Sequence, residues 1–276
     1  MNHDPLAELA ALAAAGDRRA LEPLCRALEG PIYRLSLRML GDPEDARDAT
    51  QEILVRAITR LAQFRGESKL LTWAYTLATR YLLRARSRVE RTRDVATLTA
   101  WIDTGLGVTA PDSVPTADVN AAVRETQLAC TQAMLFALSR EERVALLLAD
   151  LLGADDATGA AVCEVSIETY RKRLSRARAT LRPLLEVRCG LADAAAPCRC
   201  ARQARAKELV GPVALRWAHL PVVEAARLEA AASELGRLQR MPAVFAFDPP
   251  IAPPAELWQQ LERSLANVLG AEAGDA

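Results

Sequence analysis

The chain has 276 residues, which is enough for two domains that each have a hydrophobic core. Hydrophobic residues make up 51% and charged residues 25%, a composition that excludes a wholly disordered chain. The 35 basic and 35 acidic residues leave no net charge, so any binding to nucleic acid has to depend on a local basic face. Because there is no secretory leader pattern and no uncharged stretch of about 18 residues, we expect a cytoplasmic protein that does not contact membranes.

The first ninety residues have the spacing of helices. Apolar residues recur every three or four positions from 45 to 64, which predicts an amphipathic helix. Asp42 and Pro43 suit its N-terminus, as an N-cap and a first-turn proline. Arg65-Gly66 ends this helix, and a second helix with an arginine-rich end is predicted from 69 to about 88.

A polar region and a second set of helices follow. Glycine and proline among small polar residues between 92 and 120 predict a linker. Helical spacing resumes after it, and Ser139 with Glu142 forms a capping box for a helix over 140–152. A short helix from about 155 to 163, a tight turn and a helix over 166–185 then predict a helix-turn-helix.

The last helix of that motif is strongly basic. Between Ser166 and Arg182 it has six basic residues and one acidic residue, Glu168. Guanidinium groups match guanine edges and phosphates alike, so a basic helix that follows a short helix indicates binding in the major groove of DNA. Without the preceding short helix, a solvated basic surface would be the simpler interpretation.

The last ninety residues change in character. They begin with Cys189, Cys198 and Cys200, and helices are predicted around 222–239 and, after a proline-rich joint, over 255–269. Three thiolates this close, with His219 as a fourth candidate ligand, could hold zinc tetrahedrally. Metal or redox sensing, a purely structural knot and free thiols are alternatives that the spacing leaves open.

Two segments of the chain resemble one protein family. Region 2 of bacterial extracytoplasmic-function (ECF) sigma factors is similar to the segment DPEDARDATQEILVRAITRLAQFRGESKLLTWAYTLATRYLL. Region 4 of the same family is similar to LSREERVALLLADLLGADDATGAAVCEVSIETYRKRLSRARATL. The order of the segments and the polar linker between them match as well. The tail is similar to a Cys-Gly-Leu … Cys-Arg-Cys tail in one subgroup of these sigma factors.

The resemblance implies an all-α fold. Two helical domains, region 2 and the region 4 helix-turn-helix, are joined by a flexible linker and followed by a mainly helical C-terminal extension. The implied boundaries are 1–91 for region 2, 92–120 for the linker, 121–186 for region 4 and 187–276 for the extension, which contains the cysteine cluster and has a regulatory role.

The resemblance also implies the function. An alternative sigma factor binds the RNA polymerase core and directs promoter-specific transcription initiation, with no catalytic activity of its own. The implied partners are the core enzyme, promoter DNA and an anti-sigma factor. No cofactor is required by this function, so zinc at the tail cysteines is a separate prediction.

Each function is carried over to particular residues. The resemblance implies that one face of the helix 45–64 binds polymerase through Asp45, Asp48, Gln51 and Glu52. It implies that the minus-ten element is opened and contacted by Phe64, Arg65, Lys69, Arg80 and Arg84. It implies that the minus-thirty-five element is read by Ser166, Thr169, Tyr170, Arg171, Lys172, Arg173, Arg176 and Arg178.

The turn of the helix-turn-helix departs from the family pattern. Glu164 stands where the family usually has glycine, and Cys163 stands where it usually has leucine. A glutamate costs more than a glycine if the backbone there has positive φ. Cys163 is expected to pack as a small hydrophobic residue.

Two other classes of protein compete with this interpretation. A free-standing helix-turn-helix regulator would bind operator DNA without polymerase, but it would not need the helix 45–64 as a docking surface. A helical scaffold that binds no DNA would not need the basic face of 166–182. No P-loop, dinucleotide-binding or hydrolase motif indicates an enzyme.

Overall fold

The computed structural model describes residues 4–86, 95–107, 117–210 and 253–271. Within these ranges the chain is helical, with an isolated parallel bridge between Cys189 and Cys198. The described residues form two compact units. One takes its residues from the ranges 1–89, 160–166 and 252–276, and the other from 90–159 and 167–251. None of the described helices combines the length and apolar character that crossing a bilayer requires.

The described helices are numbered in chain order. They are α1 (Pro5–Ala14), α2 (Arg18–Leu40), α3 (Pro43–Thr59), α4 (Leu70–Leu82), α5 (Val95–Gly107), α6 (Ala117–Phe136), α7 (Arg140–Leu146), α8 (Asp156–Cys163), α9 (Ile167–Arg188), α10 (Cys200–Val210) and α11 (Ala255–Ala271). A 3-10 turn follows α3 at Leu61–Gln63, and a π-helical segment, Leu147–Leu151, continues α7. The helical character predicted for the chain is confirmed.

The N-terminus of α3 has the predicted cap. The Asp42 carboxylate accepts hydrogen bonds from the backbone N–H groups of Glu44, at 3.0 Å, and Asp45, at 3.1 Å. Pro43 occupies the first helical position, where the missing N–H costs nothing. The helix ends at Thr59 instead of Phe64, because the 3-10 turn replaces its last predicted turn.

The core of the first unit lies between α2, α3 and α4. Leu24, Leu28 and Ile32 of α2 and Ile53 and Leu54 of α3 have no exposed surface. The α2 residues are four positions apart and so lie on one face of that helix, and this face packs against α3 around the neighbouring Ile53 and Leu54. Burial of this kind fixes which face of α3 remains outside, and that outer face is where the site residues of α3 lie.

The stretch 92–120 contains a packed helix that the sequence analysis did not predict. Leu98 and Ile102, one turn apart in α5, are buried in the second unit. Gly105, one of the glycines in the predicted linker, lies where a Cβ would overlap the side chain of Gln203 from α10. Gln203 Nε2 in turn donates to the Ile102 carbonyl at 2.9 Å. A glycine that permits close packing and a glycine that permits bending have the same signature in sequence.

The tail is shared between the two units. Helix α10 packs against α5 and α6 in the second unit, whereas α11 packs against α3 in the first unit. Leu257 and Leu261 of α11 have no exposed surface. The helix predicted around 222–239 lies outside the described residues.

Candidate nucleic-acid and partner-protein surfaces

Helix α9 has one buried face and one basic face. Tyr170, Leu174, Ala177 and Leu181 follow helical spacing and are buried. The basic residues fall between these positions, so they project from the other faces of the helix. This arrangement gives the second unit a positively charged helix surface, although the whole chain has no net charge.

Several of these cations have partners within the second unit. Arg171 Nε lies 2.6 Å from Asp156 Oδ2, and Lys172 Nζ lies 2.7 Å from Glu168 Oε1. Both pairs are largely exposed, so each contributes little and can exchange for a phosphate. Arg176 is exposed and Arg173 is half-buried.

Arg178 has a different role from the other predicted DNA contacts. Its Nη2 lies 2.5 Å from Asp150 Oδ1, and the Asp150 side chain is only 3% exposed. Because a buried carboxylate needs a compensating partner, this pair fastens α9 to the π-helical segment. The Arg178 guanidinium therefore stabilises the fold through this ion pair, and it is less available for contacts with DNA.

Tyr170 was wrongly predicted as a DNA contact. Its side chain has no exposed surface, and its hydroxyl donates to the Ala145 carbonyl at 3.0 Å. It lies one turn before Leu174, on the same apolar stripe, so it packs in the core of the motif. Gly159 of α8 is part of that packing and was missed, because a Cβ there would overlap the Tyr170 ring.

The turn before α9 has the left-handed backbone that a glycine would favour. Glu164 has φ of 55°. Its carboxylate forms a two-pronged ion pair with the Arg80 guanidinium of α4, and both residues belong to the first unit. The hydrogen bonds from Arg80 lower the pKa of Glu164. Cys163 beside it is buried, as expected of a small hydrophobic residue.

The other residues predicted to contact the minus-ten element lie around the start and end of α4. The ring centroid of Phe64 is 5.7 Å from that of Trp73, and both rings are half-buried. Arg65, Lys69 and Arg84 are exposed. An aromatic ring flanked by exposed cations has the composition of a surface that binds unstacked bases and phosphates.

The outer face of α3 carries the residues predicted to bind polymerase. Asp48 is exposed, whereas Asp45, Gln51 and Glu52 are half-buried. Glu52 Oε1 accepts a hydrogen bond from Arg56 Nε at 2.7 Å. Gln51 Nε2 donates to Ser264 Oγ of α11 at 2.6 Å. Part of this face is therefore covered by the chain's own C-terminal helix.

The three tail cysteines lie together with a fourth that the sequence analysis did not include. Cys189, Cys198 and Cys200 line one cavity with Cys130 of α6. Burial raises the pKa of Cys200 to about 12, and it also raises the pKa of Cys130. His219, the predicted fourth ligand, lies outside the described residues. No feature of local spacing could have found Cys130, because it is 59 residues from Cys189 (189 − 130).

Comparisons with known proteins identify the family. Residues 24–92 match the Sigma-70 region 2 family. The ECF RNA polymerase sigma factor SigC of Mycobacterium tuberculosis is 34% identical over 173 residues, which cover 63% of this chain and 87% of that protein. The RNA polymerase sigma-H factor of Pseudomonas aeruginosa is 30% identical over 182 residues, which cover 62% of this chain and 90% of that protein.

A solved structure is also similar. CnrH in complex with the cytosolic domain of CnrY matches with a TM-score of 0.47 and 25% sequence identity, over 65% of this chain and 96% of that one. The extent of the match to SigC shows the family, and the family predicted from the sequence is confirmed. The chain belongs to the ECF sigma factors of bacterial RNA polymerase.

Proposed function

We propose that this sigma factor binds core polymerase through the outer face of α3, and that α11 competes with polymerase for that face. As a member of its family, the chain is an alternative sigma factor that directs transcription initiation together with polymerase core and promoter DNA. We assign particular surfaces to polymerase and to promoter DNA, and we infer that α11 controls access to the polymerase surface.

The proposed polymerase surface consists of Asp45, Asp48, Gln51 and Glu52. The apolar face of α3 is used in the core, so these polar side chains are the part of the helix that a partner can reach. Acidic groups at the rim of an interface increase the rate of association with a basic partner and help to fix its register.

The proposed promoter surfaces are the Phe64–Arg84 region for the minus-ten element and α9 for the minus-thirty-five element. Arg173 and Arg176 are the candidates for base contacts, and the exposed Arg171 and Lys172 are candidates for phosphate contacts. Arg178 supports this surface through Asp150.

The hydrogen bond between Gln51 and Ser264 is the observation that supports competition between α11 and polymerase. It places α11 on a residue of the proposed polymerase surface, at 2.6 Å between Nε2 and Oγ. The buried Leu257 and Leu261 hold α11 against the first unit. Polymerase can occupy all of α3 only after α11 has left, so the docking free energy of α11 subtracts from the affinity for polymerase.

A charge reversal tests the polymerase surface. Glu52→Arg removes the Glu52–Arg56 pair, and the matched control Glu22→Arg removes the equivalent pair between Glu22 and Arg26 on α2. We expect Glu52→Arg to weaken binding to purified core polymerase at least tenfold, with native helicity, and Glu22→Arg to leave the affinity unchanged. Equal affinities for the two variants would overturn the assignment.

A second pair of variants tests the competition. Leu261→Asp places a charge in the buried face of α11, whereas Gln259→Asp places the same charge on its exposed face. We expect Leu261→Asp to bind core polymerase several-fold more tightly than the unaltered chain, and Gln259→Asp to bind with unchanged affinity. Equal or weaker binding by a folded Leu261→Asp chain would exclude competition by α11.

We propose a non-catalytic protein, because the relatives are named as sigma factors, and a cytoplasmic location, because polymerase and the chromosome are there. An anti-sigma factor stays a prediction. The family match argues against a regulator that acts without polymerase, and loss of promoter activity in Glu52→Arg with DNA binding intact would exclude one.

A further inference from the structure

Four of the six cysteines of the chain surround one cavity in the second unit. The cavity has a volume of about 110 Å³, and its lining includes Cys130, Cys189, Cys198 and Cys200. The thiols come from three places in the chain: the middle of α6, the end of α9 and the start of α10. The other two cysteines, Cys25 and Cys163, lie in the first unit.

The backbone between α9 and α10 is shaped to hold these thiols together. Cys198 N–H donates to the Arg188 carbonyl at 2.9 Å, and Gly190 N–H donates to the Cys198 carbonyl at 3.1 Å. A Cβ at Gly190 would overlap the Cys198 carbonyl oxygen. Glycine is therefore needed after Cys189, because it allows the two strands of the turn to approach each other.

Polar groups surround the sulfur atoms in the way that thiolates require. The Gln203 side chain forms a hydrogen bond with Cys198, and the Gln127 side chain forms one with Cys200. Gln203 is buried and is itself fixed by its bond to the Ile102 carbonyl. Arg199, next to Cys198 in the chain, adds a positive charge near that sulfur. Oriented donors and a cation around sulfur stabilise metal-bound thiolates.

We propose that four thiolates bind one thiophilic divalent metal ion such as Zn²⁺. The four ligands are Cys130, Cys189, Cys198 and Cys200. Cys130 takes the fourth position for which the sequence offered His219. Zinc sites that serve structure have four protein ligands in a tetrahedron, and four cysteines are one of their usual sets. Binding forms four metal–sulfur bonds and releases the thiol protons to solvent.

Closing the site needs an inward movement of the sulfur atoms. Among the described residues, no three His, Cys, Asp or Glu side chains already stand close enough together to ligate one ion. A Zn–S bond of about 2.3 Å requires sulfur atoms about 3.8 Å apart in a tetrahedron. We expect rotation of the cysteine side chains in the segment 189–200 to supply this movement, because Cys130 is fixed within a long helix, whereas Cys198 lies between α9 and α10.

Metal content and Co²⁺ spectroscopy test the proposal on the full chain. We expect one Zn²⁺ per chain by elemental analysis after purification with added zinc. We also expect the reduced apoprotein with Co²⁺ to show the intense absorption of tetrahedral thiolate coordination. A metal content near zero after zinc addition, or an octahedral Co²⁺ spectrum, would overturn the proposal.

Two helix cysteines provide matched variants. Cys130→Ser removes the proposed fourth ligand from α6, whereas Cys163→Ser removes a buried thiol from α8 that lies outside the cluster. We expect Cys130→Ser to lose at least a hundredfold in affinity in a chelator competition, and Cys163→Ser to keep the affinity of the unaltered chain. Circular dichroism of each variant establishes that it is folded, and Cys200→Ser repeats the test if Cys130→Ser is not.

The outcomes separate this site from its rivals. Equal affinities of Cys130→Ser and Cys163→Ser would overturn the four-cysteine set. A disulfide between cluster cysteines in protein isolated with its thiols blocked, together with no bound metal, would replace the metal site by a redox pair. None of these measurements uses transcription, so failure here leaves the proposed polymerase and promoter surfaces untouched.

Discussion

The ring of Tyr170 lies directly against the Cα atom of Gly159, where no side chain has room. This contact joins α8 to α9 and fixes the helix that we propose for reading DNA. It depends on a residue, Gly159, that would ordinarily weaken the helix in which it stands.

Gly159→Ala should therefore destabilise the protein. The added methyl group forces the buried Tyr170 away from the Ala145 carbonyl, at a cost of about 1–3 kcal/mol that outweighs the roughly 1 kcal/mol gain in helix propensity. The matched control is Gly107→Ala at the end of α5, where the new Cβ meets open space. Urea unfolding of both variants measures the difference, and equal midpoints would contradict the packing.

Arg176 and Arg178 should separate DNA binding from folding. We expect Arg176→Ala to keep the unfolding free energy of the unaltered chain and to lose about 1–3 kcal/mol of promoter affinity. Arg178→Ala leaves the buried Asp150 without its cation, so we expect it to lose about 1–3 kcal/mol of unfolding free energy. Fluorescence anisotropy with promoter DNA and urea unfolding are the two measurements. Indistinguishable profiles for the two variants would show that the division of roles is wrong.

The backbone at Glu164 gives a third prediction. A non-glycine residue in the left-handed region costs about 1 kcal/mol. Glu164→Gly and Glu164→Gln both lose the pair with Arg80, but only glycine removes the backbone strain. We therefore expect the glycine variant to unfold at a higher urea concentration than the glutamine variant. The reverse order would mean that the turn has another conformation in solution.

The pair between Asp103 and Arg188 should make stability depend on pH. Arg188 donates to the two Asp103 oxygens at 2.9 and 3.1 Å, and these bonds lower the pKa of Asp103. A carboxyl group whose pKa is lowered by folding stabilises the protein above its unfolded pKa of about 3.9, and that stabilisation is lost as the pH falls through the folded pKa.

The variant Asp103→Asn isolates this contribution. We expect it to be less stable than the unaltered chain at pH 7, with a difference that shrinks below about pH 4. Thermal unfolding from pH 3 to pH 7 measures the difference. A difference that does not vary with pH would show that α5 does not contact the end of α9 through this pair. The packing described for α5 would then be wrong.

Local signals in the sequence were sufficient for most of the helices and for the family, but not for α5. Asp42 and Ser139 act as the N-caps that their side chains predict, and Pro43 occupies the first helical position as expected. The position of Tyr170 could also have been predicted, because it falls on the same stripe as Leu174 and Ala177. The family resemblance assigned Tyr170 to DNA together with its neighbours on α9, without regard to which face of the helix it occupies.

The remaining features depend on which distant segments pack together. Neither periodicity nor spacing indicates that Gln203 fills the space at Gly105, that α11 covers Gln51, or that Cys130 joins the tail cysteines. Such contacts depend on how two distant surfaces fit together. Helix caps and the apolar faces of helices depend only on residues that are close in the sequence.

The sharing of the tail between two units determines what a shortened chain can reveal. A protein that stops after α9 loses α10 with Gln203, and it loses three of the four clustered cysteines, so any defect combines an unfilled cavity with a missing tail. A protein that stops at residue 252 loses α11 alone. Deletion experiments that treat residues 187–276 as one appendage would therefore attribute to regulation what is partly a loss of packing, and the second end point is the informative one.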